Sequence, residues 1–156
     1  MAANTAPIYP LTPYIAAASL AAVTACTTRA PIAHASMGST PCFAVLLVPA
    51  GAAQTPASTA GTRIDTIRVQ GISSAITAPT AAQTVLLWLD DGTTGTVIDE
   101  ILVTVVTPST TVAAFNAAKS YTNLVVPVGS SLWVSTTVTT TASTTALAVT
   151  AFGGTY

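Results

Sequence analysis

The sequence predicts an all-β fold: a single β-sandwich or jelly-roll domain, residues 14–156, behind an extended N-terminal arm, residues 1–13. Three observations carry that prediction. Short β-branched runs recur at regular spacing, Gly and Pro punctuate them, and no confident long helix interrupts them. A chain of 156 residues can bury one real core without metal or disulfides, and a second domain is not expected. No internal repeat of solenoid or propeller period is present.

The elements follow in order. The opening "MAANTAPIYPLTP" has prolines at 7, 10 and 13, which forbid a regular helix and favour an extended course. Residues 14–25 are Ala-rich enough for a helix, but no charged face develops and Thr and Val close the segment, so the reading stays between helix and strand and leans to extended. Residues 27–41 have loop composition, and "FAVLLV" at 43–48, between Pro41 and Pro49, looks like a buried strand. Loop composition returns from 49 to 61.

In "TRIDTIRV" at 62–69, Ile64 takes one parity and Ile67 and Val69 the other, which predicts a strand with a bulge. "TVLLWLD" at 84–90 is apolar on both parities. "TVIDEILVTVV" at 96–106 puts Val97, Ile101, Val103 and Val105 on one. The Asp91-Gly92 pair between them marks a hairpin. Residues 107–123 read as a longer connection, with a helical turn or two expected at 112–119. Three further strands are expected at 124–126, 132–139 and 145–152.

Charge excludes several functions. Only 6% of residues are charged, against roughly 25% in an ordinary soluble domain. Arg29, Arg63, Arg68 and Lys119 are the only basic residues and the net charge is −1, so no basic patch exists to release counterions and nucleic acid is not an expected partner. Thr, Ser and Pro break every apolar run below the ~20 residues a bilayer needs, so no membrane partner is expected either. A chain this poor in charge cannot guard strand edges with Lys or Glu, and other subunits are expected to cover them unless they are short. "IAAASLAAVTAC" ends like a lipoprotein cleavage box, but the segment before it has no Lys or Arg and three prolines, which argues against export.

No residue set points to catalysis or to a cofactor, and the chain is not expected to be an enzyme. Asp90, Asp91, Asp99 and Glu100 are four of its five acids and surround the hairpin. A glycosidase cleft needs more walls than one hairpin supplies, and the spacing does not match a calcium loop. A polar turn explains them best, because Asp and Gly have backbone reasons to be there. His34 is the only histidine and is expected to be solvated loop surface; "GSS" at 129–131 has no identifiable base, and no Gly-x-Ser-x-Gly elbow exists. Cys26 and Cys42 have no CxxC spacing and, even with His34, fall short of a zinc tetrahedron, so no metal site is expected. Two buried thiols are the favoured reading, with a disulfide within or between subunits as the alternative. Trp88, Trp133, Phe115 and Tyr121 could form a sugar platform, but packing is the commoner use of tryptophans inside strands.

Several stretches carry a resemblance: "ANTAPIYPLTP" at 3–13, "GTRIDTIRV" at 61–69, "LWLDDGTT" at 87–94, "DEILVTVVTPSTTVAAFNAAKSYTNLVVPVGSSLWVST" at 99–136 and the closing "LAVTAFGGTY". With these the chain resembles small virion proteins of tailed bacteriophages and prophages, some of them jelly-roll capsid decoration, or cement, proteins. The likeness covers most of the chain and is weak between residues 26 and 60. It implies a structural protein on the outer capsid surface of the virion, with the major capsid protein as partner and a homotrimer, or else a dimer, as its own assembly. Ala3, Asn4, Thr5, Ala6, Pro7, Ile8 and Tyr9 are the candidate interface: their backbone donors need partners, and strand addition to a neighbour would supply them. A disordered tail is the alternative for the arm. The alternative for the whole chain is a tail, neck or fibre module touching host glycan through Asp90, Asp91 and the "TTTAST" turn at 139–144. An exported, lipid-anchored protein is a third.

Overall fold

The computed structural model describes residues 12–50 and 61–155; the candidate interface at residues 3–9 lies outside them. Eight main strands build a sandwich: β1 (Thr12–Leu20), β5 (Val45–Val48), β6 (Thr62–Gly71), β7 (Gln83–Asp90), β8 (Thr94–Val103), β9 (Asn116–Val126), β10 (Ser131–Thr136) and β11 (Leu147–Thr155). Between β1 and β5 run the short strands β2 (Ile32–Ala33), β3 (Gly38–Ser39) and β4 (Cys42–Phe43), with one 3-10 turn at His34–Ser36. No α-helix occurs among the described residues.

One sheet has the order β1-β11-β6-β9 and the other β2-β8-β7-β10-β5, and all their pairings are antiparallel. Among the eight main strands the first pairs with the last, β5 with β10, β6 with β9, and β7 with β8. That is one long hairpin rolled across two sheets, which is the jelly-roll arrangement. Leu20, Ile64, Ile67, Val69, Val85, Leu87, Leu132 and Val149 fill the space between the sheets.

The register assigns each connection to one end of the sandwich. Thr12, Thr155, Thr62 and Val126 line up across the first sheet, and Asp90, Gly95 and Ser131 across the second; the turns at 91–93 and 127–130 and the start of β1 therefore share the near end. Residues 21–25, 72–82, 104–115 and 137–146 connect strands at the far end.

Local sequence explains most of this. The bulge expected in β6 falls at Asp65, where the pairing passes from Ile64 to Thr66 and the buried side changes parity, so that Ile64, Ile67 and Val69 all face inward. β7 and β8 meet in the expected hairpin, with Gly92 at φ 86°, a left-handed position that glycine fills without strain. A second bulge, at Ile98, turns Val97 to the sheet face opposite that of Ile101 and Val103, against the single parity expected for the three; Val105 lies past the strand end and is exposed.

Pairing across the sheet decides two readings, the first against expectation. Residues 112–119 form no helical turn: Asn116 to Val126 pair with β6, and this tertiary contact overrides the helical propensity of Ala and Lys. The Ala-rich stretch after residue 13 forms the body of β1, which begins at Thr12, so Thr12 and Pro13 belong to the sandwich through Thr155 and Gly154. β10 stops at Thr136, short of the expected 139.

The outer face of the five-stranded sheet is covered by residues 21–44. Leu86 and Trp88, both 0% exposed, pack there against Cys26, Ile32, Met37, Cys42 and Ala44. The Met37 thioether lies over Gly95, so a Cβ there would force that side chain to shift. Cys26 and Cys42 are joined in a disulfide that closes this cap on itself, and both are buried, so the favoured reading of two thiols gives way to its alternative.

Candidate functional site

The hairpin acids do not converge; each is engaged separately. Asp90 ends β7 with its side chain 0% exposed, accepting hydrogen bonds from Gly92 N at 3.2 Å and Ser131 Oγ at 3.1 Å. His34 Nδ1 lies 2.5 Å from Asp90 Oδ2, the oxygen that also accepts from Ser131, and the His34 backbone N–H donates to Thr93 O at 2.8 Å. Trp133 Nε1 in turn donates to Ser131 Oγ at 2.8 Å, and the His34 and Trp133 rings meet edge to face at 6.4 Å. A network of four side chains thus clips the cap to the hairpin.

Asp91 is spent on the turn: its Oδ1 accepts from the backbone N–H groups of Thr94 and Thr93 at 2.7 and 2.8 Å, and these bonds hold its pKa below the ordinary carboxylate value. Asp99 bridges the two sheets on the side where β8 and β9 face each other, bonding Lys119 Nζ at 2.6 Å and Tyr121 Oη at 2.7 Å. Burial pushes the Asp99 pKa up, but Lys119, Tyr121 and the Glu100 N–H together outweigh it and the net shift is downward. Tyr121 is raised, first by burial and then by the hydrogen bond to Asp99. Glu100, on the opposite face, pairs with Arg29 of the cap at 2.6 Å, and the Arg29 pKa is raised by that bond.

The chemistry of this arrangement is attachment. Ser131 donates to the carboxylate of Asp90 and makes no bond to His34, so serine and imidazole are not coupled as nucleophile and base. Among the described residues no three His, Cys, Asp or Glu side chains gather as a metal centre. Trp88 is wholly buried, its Nε1 donating to Ser135 Oγ at 2.8 Å, and offers no platform to a sugar. Phe115 is also buried in the core.

The glycan-contact set is broken up too. Asp90 is buried, and the turn at 91–93 lies at the near end while the 139–144 turn lies at the far end, about 25–30 Å away along the strands.

Sequence reasoning missed the partnership of His34, Asp90 and Ser131, because His34 and Asp90 are 56 residues apart and Ser131 follows another 41 residues on. A signal was present nonetheless: a carboxylate at the end of a run apolar on both parities has to be buried with partners. Among the described residues no helix is long and apolar enough to cross a membrane. No family model, no curated protein and no solved structure matches the chain.

Proposed function

We propose that this chain is a structural virion protein, a decoration or cement protein that binds the outside of a tailed-phage head as a homotrimer and stabilises it by bridging major capsid protein subunits. The observation that carries this reading is the jelly-roll sandwich with β1 as an edge strand: the arm joins the domain at the near end, and among the described residues no strand lies beside the outer edge of β1. Among the described residues the outer edge of β9 is likewise without a strand partner. Both strands are long and carry a single charge between them, Lys119. Natural edges of this kind are usually shielded, and burial in an assembly is one way to shield them.

The mechanism is linkage. A protein that binds only the assembled shell stabilises it by its own binding free energy, and simultaneous contacts to several shell subunits multiply that effect. Residues 3–9 supply the reach and the backbone donors for strand addition to a shell subunit.

The copy number of the chain relative to the major capsid protein, from quantitative mass spectrometry of purified particles, tests the reading. Comparable numbers support decoration; a few copies per particle favour a tail or neck position, and none rejects a virion role. Removing residues 1–11, which leaves β1 whole, is expected to abolish shell binding while the domain stays folded.

A further inference from the structure

The two ends of the sandwich differ in chemistry. The connections at 72–82, 104–115 and 137–146 contain no Asp, Glu, Lys, Arg or His, whereas the near end carries Asp90 and Asp91. Ile72, Ile76, Val105, Val112 and Val138 are all exposed on these charge-free connections, and Ile76 is 75% exposed. This end can be buried without desolvating an ion, which is the largest cost of forming an interface.

Ile76 is one of the residues lining a cavity of about 240 Å³, whose other walls include Gly71, Ala78, Thr80, Pro108 and Val112. That is below the roughly 300–1,000 Å³ of small-molecule sites and suits a single aliphatic side chain. Its two wall segments are tied together: Thr80 N donates to Val106 O at 3.0 Å, Thr80 Oγ1 to Thr104 O at 2.8 Å, and Val106 N to Thr80 Oγ1 at 2.9 Å. The socket is preformed, so filling it costs little ordering. Ser73, also in its wall, has a buried Oγ with no hydrogen-bond partner among the described residues. An unpaired hydroxyl in a binding wall is a group waiting for a partner.

A knob and a hole on the same charge-free patch are self-complementary, and a symmetric oligomer is built from such a patch. We infer that the far end is a self-association surface, and that Ile76 of one copy enters the socket of a second copy of this chain. The Ser- and Thr-rich loops around Ile76 carry the hydroxyl and backbone groups that Ser73 of the facing copy lacks. This inference rests on the homotrimer of the proposed function and gives it a surface, but it is tested without a shell protein, so its failure leaves shell binding to be judged by copy number.

The test is light scattering coupled to gel filtration on the full chain, with analytical ultracentrifugation for the affinity. A mass of two or three times 15.5 kDa is expected. Ile76→Asp, at a position already exposed, should keep the wild-type melting curve and weaken association at least about 100-fold, since it would bury an unpaired carboxylate. Ala113→Phe, filling the socket from its wall, should weaken it as well. Val128→Asp, at an exposed position on the near-end turn, should leave it unchanged. A monomeric wild type, an Ile76→Asp protein that associates normally, or a Val128→Asp protein that dissociates would each overturn the inference.

Discussion

The two outer faces of the sandwich show how one sequence pattern has two outcomes. β7 and β1 are both apolar on both parities. On β7 the second parity is buried, because the cap folds over Leu86 and Trp88. On β1 it is not, and Ile15 remains 68% exposed next to Phe152 of β11. A strand apolar on both sides therefore says that both sides are meant to be covered, and does not say whether the same chain supplies the cover.

The largest effect expected from breaking this comparison is at Trp88. Trp88→Ala should cost about 4 kcal/mol in urea unfolding, through lost burial and an emptied volume beneath the cap. Opening the disulfide by Cys26→Ala with Cys42→Ala should cost about 3 kcal/mol, from the freed loop of 16 residues. If it costs nothing, the packing of Met37 and Ile32 holds the cap without it. His34→Ala should cost about 1 kcal/mol by the same assay, since it removes one clip while Ser131 and Gly92 still serve Asp90. Ile15→Ser on the bare face should fall within about 0.5 kcal/mol of the wild type in the isolated domain.

The side bridge between the sheets responds to pH at both extremes. The folded Asp99 pKa is lowered, so its stabilisation is present above the ordinary carboxylate value of 3.8 and is lost as pH falls through the folded pKa. Tyr121 is raised above 10.0, so its contribution is complete below pH 10.0 and is lost above it, as the unfolded chain ionises first. Tyr121→Phe should flatten the alkaline limb of a plot of melting temperature against pH; an unchanged limb would show that the bridge adds nothing there.

The parts of this fold legible in sequence are those fixed by neighbours in the chain. The Asp-Gly turn and the parity slip at Asp65 needed only local chemistry. The start of β9 has helical propensity in its Ala and Lys residues, and the long β6 partner that decides the matter lies about fifty residues earlier. The candidate site was less legible than the fold: each member of the His34–Asp90–Ser131–Trp133 network comes from a different segment or strand position, and Cys26 and Cys42 carry no spacing that distinguishes a disulfide from two thiols. That Trp88 would be covered was implied by the double-sided apolar run, but the cover, residues 21–44, has loop composition and no periodicity to announce it.

The pairing of the first strand with the last has a consequence for biosynthesis. Along the ribosome, β1 emerges about 130 residues ahead of β11, its sheet neighbour among the described residues, a delay of roughly ten seconds at ordinary rates of translation. Through that interval an uncharged strand waits for its partner, and the sheet it begins cannot close until β11 has been made. Folding limited by such late, non-local pairing is slow, and a nascent chain of this kind is at greatest risk of mispairing with its own copies on neighbouring ribosomes.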